Sequence, residues 1–444
     1  MMEARDLKDV KEELTARDVR FIYLQYVDLL GRLYSVTFGT DRLEEAAKGV
    51  GIDGYSSGFL QVERSDLVIK PDLATLRILP WETKTGKVAC CLCDIYEADG
   101  LTPFFLCPRN ILRNAISQMK TELGNTVEFI VSPELQFWLM IKKNGTTELY
   151  DNGEYLSPPP HDKAAEFRQE LALALNEAGI PTHKSHHETT QGKYELNIEH
   201  GPALKIADVM IQYKFIVKNL AARQGLILSF MPKPFTDRAG NGLHLHQNLS
   251  NNKENLFSDQ TSKYFNLSEL ALSFIAGQLK HARALVALTN PSVNSYKRFH
   301  QVRGTEAPSY ILWARYNRTA LIRIPPCSLK SVRFEFRGAD GSMNPYLGFA
   351  GLLVAGLDGV KKGLEPPEPV EENVHSLTAE EREKKGIGEL PWNLGEALDE
   401  LERDDVVRNA LGGAYDRYLY LKRREWREYG RVVTTWEFEK YLDV

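Results

Sequence analysis

The tightest constraint on the fold comes from three short stretches that alternate chemically active side chains with bulky apolar ones. They are Glu134-Leu135-Gln136-Phe137, Leu243-His244-Leu245-His246 and Arg333-Phe334-Glu335-Phe336-Arg337. Residues two apart on a strand share a face. Glu134 with Gln136, His244 with His246, and Arg333 with Glu335 and Arg337 are therefore predicted to line one side of a sheet, with the apolar residues packed behind. Glu188 and Glu195 flank a turn that contains Gly192. For any one strand the simplest account is an antiparallel sheet with a solvated face and a packed face. Together the polar faces carry a narrower set of residue types. Carboxylates and imidazoles suit Mg²⁺ or Mn²⁺, and arginines suit phosphate oxygens, to which a planar guanidinium donates bidentately. Arg318 and Arg323 add two cations close in sequence to the third strand. This combination points to a polyphosphate held between metal ions and guanidinium groups. The chain has no Gly-x-x-x-x-Gly-Lys-Ser/Thr loop and no dinucleotide fingerprint, so a nucleotide is gripped in another way. Spacing alone stops at a metal-dependent phosphoryl-transfer enzyme.

The 444 residues, 43% of them hydrophobic, suffice for more than one core. With 55 basic and 60 acidic side chains the net charge is −5, which lacks the basic excess that nucleic-acid binding needs. No apolar run is long enough to span a bilayer, and Met1–Lys8 is charged with no apolar signal core. No nucleic-acid or membrane partner is expected. The five cysteines, Cys90, Cys91, Cys93, Cys107 and Cys327, are odd in number, and three crowd one strand. That crowding disfavours paired disulfides and zinc ligation, so they read as reduced core thiols of a cytoplasmic protein.

Residues 1–15 read as a charged helix and Val19 to about Asp94 as mainly β. A first domain is predicted over 1–105 and a second, mixing strands and helices, over 106–444. Helices are predicted at Pro108–Leu123, Lys163–Ala178, Ala203–Arg223, Leu267–Leu288, Pro345–Lys362 and Leu394–Tyr429, with a surface loop from Glu365 to Pro391.

Read in order, the motifs resemble the glutamine synthetase family, specifically its bacterial and archaeal type I. They are Asp53-Gly54…Gly58-Phe59…Ser65-Asp66, His186-His187-Glu188…Gly192…Glu195, Met231-Pro232-Lys233-Pro234, Gly240-Asn241-Gly242-Leu243-His244-Leu245-His246, Asn294-Ser295-Tyr296-Lys297-Arg298, Glu306-Ala307-Pro308, Asn317-Arg318, Ile322-Arg323-Ile324-Pro325, Arg333–Arg337 and Asn344-Pro345-Tyr346. The resemblance implies an α+β fold: an N-terminal β-grasp-like domain, then a larger catalytic domain with a curved antiparallel sheet flanked by helices. It implies twelve subunits in two hexameric rings, with sites shared between neighbours. The implied reaction phosphorylates the γ-carboxylate of glutamate with ATP, after which ammonia attacks the acyl phosphate. Two to three Mg²⁺ or Mn²⁺ ions are implied per site. Glu134, His244 and Glu335 would hold the ion near ATP, and Glu188 and Glu195 the ion near glutamate. His246, Asn248, Arg318, Arg323 and Arg333 would bind ATP. Gly240, Arg298, Arg318 and Arg337 would bind the substrate. Asp53 would deprotonate ammonium in a neighbour's site, and Glu306 would close the site against water.

Three departures from the family pattern bear on substrate. Gln136 stands where the family has a second carboxylate ligand of the glutamate-side ion; its carbonyl oxygen can still coordinate but brings no charge, which weakens that ion's binding. Ala239 stands where the family has an Asn that grips glutamate. The loop from Phe299 to Thr305 is two residues longer than the family's. His375 replaces a tyrosine that some members modify with AMP, so adenylylation is not expected. Three functions remain open at this point: glutamine synthesis, a γ-glutamyl-amine ligase acting on a larger amine, and a nucleotide-binding regulatory or scaffold homologue.

Overall fold

A computed structural model describes residues 5–299 and 306–444. The loop from Phe299 to Thr305 thus lies, apart from Phe299, outside the described residues. The run Val88 to Cys93 is buried without interruption, as expected of a strand covered on both faces. It belongs to the strand Gly86–Glu97, the centre of a six-stranded sheet. This strand pairs parallel with Val19–Val27 and antiparallel with Asp66–Pro71 and Arg77–Thr83. Leu33–Gly39 and Val50–Asp53 form the sheet's two ends. Cys90, Cys91, Cys93 and Cys107 are free and buried, and burial pushes the Cys90 thiol up to about 12. Cys327 departs from the core-thiol expectation, being only half-buried.

The second sheet is organised around one 17-residue strand, Val127–Lys143. Leu243–Asn251 pairs antiparallel along its first half, and Lys193–Ile198 and Leu226–Ser229 along its second. Beyond these lie Phe334–Phe336, Ile322–Arg323 and Trp313–Ala314 on one side and Thr182–His187 on the other. The pairing is antiparallel except between Trp313–Ala314 and Ile322–Arg323. No helix among the described residues is long and apolar enough to cross a membrane.

Three predicted helices, Pro108–Leu123, Ala203–Arg223 and Pro345–Lys362, occur with the expected bounds. Helix Glu269–Lys280 crosses Pro345–Lys362 so closely that a Cβ on Gly359 would collide with Ser273 O. Two predicted helices are broken. Leu267–Leu288 divides at His281 into Glu269–Lys280 and Ala282–Thr289. Leu394–Tyr429 divides at Asp404, whose side chain caps Val406 N and Val407 N of a new helix, and again at Gly412, which has φ +52°. Apolar spacing continues across these breaks, so periodicity alone cannot reveal them. The Glu365–Pro391 stretch holds a short helix, Ala379–Lys384, started by a Thr378–Glu381 capping box.

His281 fastens three of these segments. Its Nδ1 lies 2.6 Å from Asp404 Oδ2 and its Nε2 3.0 Å from Asp358 Oδ2. Burial lowers the imidazole's pKa, but bonds to Asp404 and Asp358 outweigh it and raise the value above the usual 6.5. A raised folded value means the charged pair stabilises fully below about pH 6.5. That contribution is lost as pH rises through the folded value. The stability difference between wild type and His281→Gln, followed by urea unfolding, is expected to be largest at mildly acidic pH and to shrink as pH rises. A pH-independent difference would contradict this.

The two domains are joined by a buried ion cluster. Arg109 donates to both Asp208 oxygens at 2.8 Å, to Asp94 at 2.5 Å and to Asp72 at 2.9 Å. Tyr346 adds a hydroxyl bond to Asp208. Nearby, Asn344 caps helix Pro345–Lys362 and donates to Asp28 O and Leu29 O of the first domain.

Candidate active site

Strand register collects the polar faces into one row. His244 lies opposite Glu134, His246 opposite Glu335, Arg323 opposite Glu335, and Glu195 opposite both Gln136 and His186. In the first cluster of this row, His244 Nδ1 is 2.9 Å from Glu134 Oε2 and 3.2 Å from Glu335 Oε1, while His246 Nε2 is 3.0 Å from Glu134 Oε1. Donor atoms of Glu134, His246 and Glu335 all lie within 4.8 Å of one another. Glu335 is fully buried and accepts 2.7 Å bonds from Arg323 Nε and Arg337 Nη1. Burial tends to raise both carboxyls. Hydrogen bonds to His244 and His246 nevertheless hold Glu134 far below the usual range, and Arg337 with the two histidines holds Glu335 low. The carboxylates are therefore kept ionised inside the protein, which the solvated-strand account does not provide. Two carboxylates and two imidazoles form an oxygen and nitrogen donor set that fits Mg²⁺ or Mn²⁺.

The second cluster brings His186, Glu188 and Glu195 within 4.8 Å of one another. Its surroundings differ. Gln136 Nε2 donates to Glu195 Oε2 at 3.2 Å, while its Oε1 accepts Gly242 N–H at 3.1 Å. The amide oxygen that could ligate an ion thus already accepts one backbone hydrogen bond, which leaves it a single lone pair. Asn197 Nδ2 donates to Glu195 Oε1 at 2.7 Å. The buried Lys193 ammonium is 3.6 Å from Glu188 Oε2 and donates to Gly240 O at 3.1 Å. Burial acts to raise Glu188, but His186 and Lys193 hold it at about 2. Burial with the Glu134 and Glu188 charges raises Glu195. Behind the turn, buried His187 lies 3.0 Å from Asp151 Oδ1 and 2.8 Å from Glu188 O, which fixes the backbone at the carboxylate.

Beside the first cluster a cleft of about 460 Å³ is lined in part by Glu134, His246, Asn248, Lys330 and Arg333. Arg333 Nε donates to His246 Nδ1 at 3.3 Å. The Asn248 side-chain oxygen is buried without a partner among the described residues, which suits a ligand that brings a donor. Glu306 Oε2 is 3.7 Å from Arg337 Nη2, at the exposed end of the row.

Other predicted residues sit differently. The Arg298 terminal nitrogens donate to Gly338 O, Ala339 O and Arg337 O, so its guanidinium braces the strand end that carries Arg337. The Arg318 side chain is exposed, and its carbonyl accepts from Arg337 Nε at 3.1 Å. Asp53 is exposed and bonds within its own turn, to Tyr55 N and Ser56 Oγ. Sequence reasoning passed over Lys193, His186 and Asn197. The two-residue alternation used for the other strands would have found Lys193 and Asn197, since both flank Glu195 at that spacing. His186 stands at the same spacing before Glu188, but its meeting with Glu195 depends on strand register.

Family models match most of the chain: the glutamine synthetase β-Grasp domain over residues 18–98 and the glutamine synthetase catalytic domain over residues 105–441. A glutamine synthetase from Methanocaldococcus jannaschii is 44% identical over 97% of each chain. One from Methanosarcina mazei is 42% identical over 98% of each. Among solved structures, a GmaS/ADP complex superposes with a TM-score of 0.89 at 29% identity, covering 99% of this chain and all of that one. A Plasmodium falciparum glutamine synthetase superposes with a TM-score of 0.87 at 24% identity, covering 98% of this chain and 99% of that one, a likeness of fold.

Proposed function

This chain belongs to the glutamine synthetase family, and from that premise we propose that it joins ammonia to the γ-carboxylate of glutamate at the expense of ATP. The observation that carries the reading is the buried Glu134–His244–His246–Glu335 cluster, backed by Arg323 and Arg337 and opening on the cleft at Asn248 and Arg333.

Glu134, His244, His246 and Glu335 would hold a divalent cation, Mg²⁺ or Mn²⁺, which supplies charge neutralisation for the ATP phosphates when bound. Arg323 and Arg333, with Arg318 swinging in from the surface, add guanidinium donors for phosphate oxygens. Asn248 and His246 line the nucleotide cleft. A γ-carboxylate oxygen attacks the γ-phosphorus of ATP, giving γ-glutamyl phosphate and releasing ADP. Ammonia then attacks the acyl carbon, phosphate leaves with the bonding electron pair, and the nitrogen sheds its extra proton. Arg337 and the Gly240 turn orient the acid, and Arg298 fixes Arg337. Glu306 closes the exposed end, because the acyl phosphate must be kept from water. Asp53 has no such work in its own subunit. An exposed carboxylate there suits the deprotonation of ammonium in a neighbour's site, within an assembly of two six-membered rings. Buried free thiols suit a cytoplasmic protein.

The test is phosphate release and product identification with purified protein, Mg²⁺ and ATP, across paired acids and amines. Glutamine from glutamate and ammonium supports the proposal. Turnover with a larger amine but not ammonium would instead identify a γ-glutamyl-amine ligase, and nucleotide binding without any product a regulatory or scaffold homologue.

A further inference from the structure

The two clusters in the active-site row are built from different materials. In the first, two guanidinium groups hold Glu335, while Glu134 meets the ring nitrogens of His244 and His246, and the His244 ring can give up a hydrogen and turn a lone pair towards an ion. In the second, the Glu195 oxygens meet the amide NH₂ groups of Gln136 and Asn197, whose hydrogens cannot be removed. Glu188 meets the His186 ring nitrogen at 3.2 Å on one oxygen and the Lys193 ammonium at 3.6 Å on the other. The Lys193 side chain is only 5% exposed and is held in place by Gly240 O at 3.1 Å, so it cannot swing into water to make room. A divalent cation between Glu188 and Glu195 would stand within a few ångströms of this ammonium in a water-poor site, where like charges repel strongly. The carboxylate charge that could offset the repulsion is missing, because residue 136 is a neutral amide whose oxygen is already bound to Gly242 N–H.

We propose that Lys193 is a resident cation occupying the electrostatic place of the second metal ion, so that each active site binds one divalent cation tightly, at Glu134, His244, His246 and Glu335. The proposal rests on the ligase reading and narrows the expected two to three ions to one. It also gives Lys193 a catalytic position. Its ammonium joins the carboxylates at Glu188 to the Gly240 turn, where the acid substrate sits, and faces the negative charge that builds on the acyl phosphate. A built-in ammonium differs from an ion in being always present and fixed in geometry. Binding of the acid then does not depend on filling a second site.

Counting bound Mn²⁺ by electron paramagnetic resonance on the whole protein tests this without reference to turnover. Wild type is expected to bind a single tight Mn²⁺ per chain, with no dipolar broadening from a close pair. The double variant Lys193→Gln with Gln136→Glu removes the ammonium and restores a carboxylate, and is expected to bind a second ion and show that broadening. Lys193→Arg keeps the positive charge and is expected to bind one. Two tight ions in wild type would overturn the proposal, whatever the variants do. A folded double variant that still binds only one would overturn it as well. The ligase reading fails separately, if no acid and amine pair yields phosphate.

Discussion

Glu335→Ala is expected to reduce ATP turnover by at least about 100-fold, the scale for losing a central electrostatic group of an active site. The carboxylate accepts from Arg323 and Arg337, lies 3.2 Å from His244 and is fully buried. Its removal takes an oxygen donor from the first cluster and leaves two guanidinium groups facing each other with no anion between them. Breaking a buried pair in this way costs about 3–5 kcal/mol, so a loss of stability accompanies the loss of activity. Glu335→Gln separates the two effects. It keeps volume and one acceptor oxygen and should recover much of the stability, while lacking the charge an ion requires. Phosphate release together with urea unfolding of both variants checks the expectation. Turnover near the wild-type rate in either would remove Glu335 from the site.

Arg109→Ala is expected to produce the largest loss of stability from a residue outside the active-site row, again about 3–5 kcal/mol. Arg109 is buried and is the shared donor to Asp72, Asp94 and Asp208. Without it three carboxylates crowd one interface between the domains, with Arg113 answering Asp72 and Asp94 only from the half-exposed rim. Asp208→Asn should cost less, because the Tyr346 hydroxyl and Arg109 can still bond the amide oxygen. The measurement is the shift in urea midpoint at constant slope. A shift for Arg109→Ala no larger than that of an exposed arginine variant would show that the cluster does not hold the domains together.

Much of the active-site row was legible because strand alternation is local. Once Leu243–Asn251 and Val127–Lys143 are strands, His244 and His246, and Glu134 and Gln136, must share faces. The resemblance then supplied roles that alternation could not, such as which arginines meet phosphate. Arg298 shows the limit of both. Its motif points to substrate, whereas its terminal nitrogens bond three backbone carbonyls, a choice set by how the 337–339 segment runs past it.

By itself the sequence determined the polar faces of the motif strands and three full helices, Pro108–Leu123, Ala203–Arg223 and Pro345–Lys362. These follow from backbone geometry within a few residues, helped by a proline in the first turn of Pro108–Leu123 and by the Asn344 cap of Pro345–Lys362. Tertiary structure alone decided the register that sets His246 against Glu335 and Glu195 against His186, and the break at His281 that lets it reach Asp358 and Asp404. It also decided that Lys193 is buried against Glu188. The first two depend on pairings between segments far apart in the chain. The last depends on burial, which turns a residue that would be a solvated cation on an exposed strand into a fixed charge between Glu188 and Gly240 O.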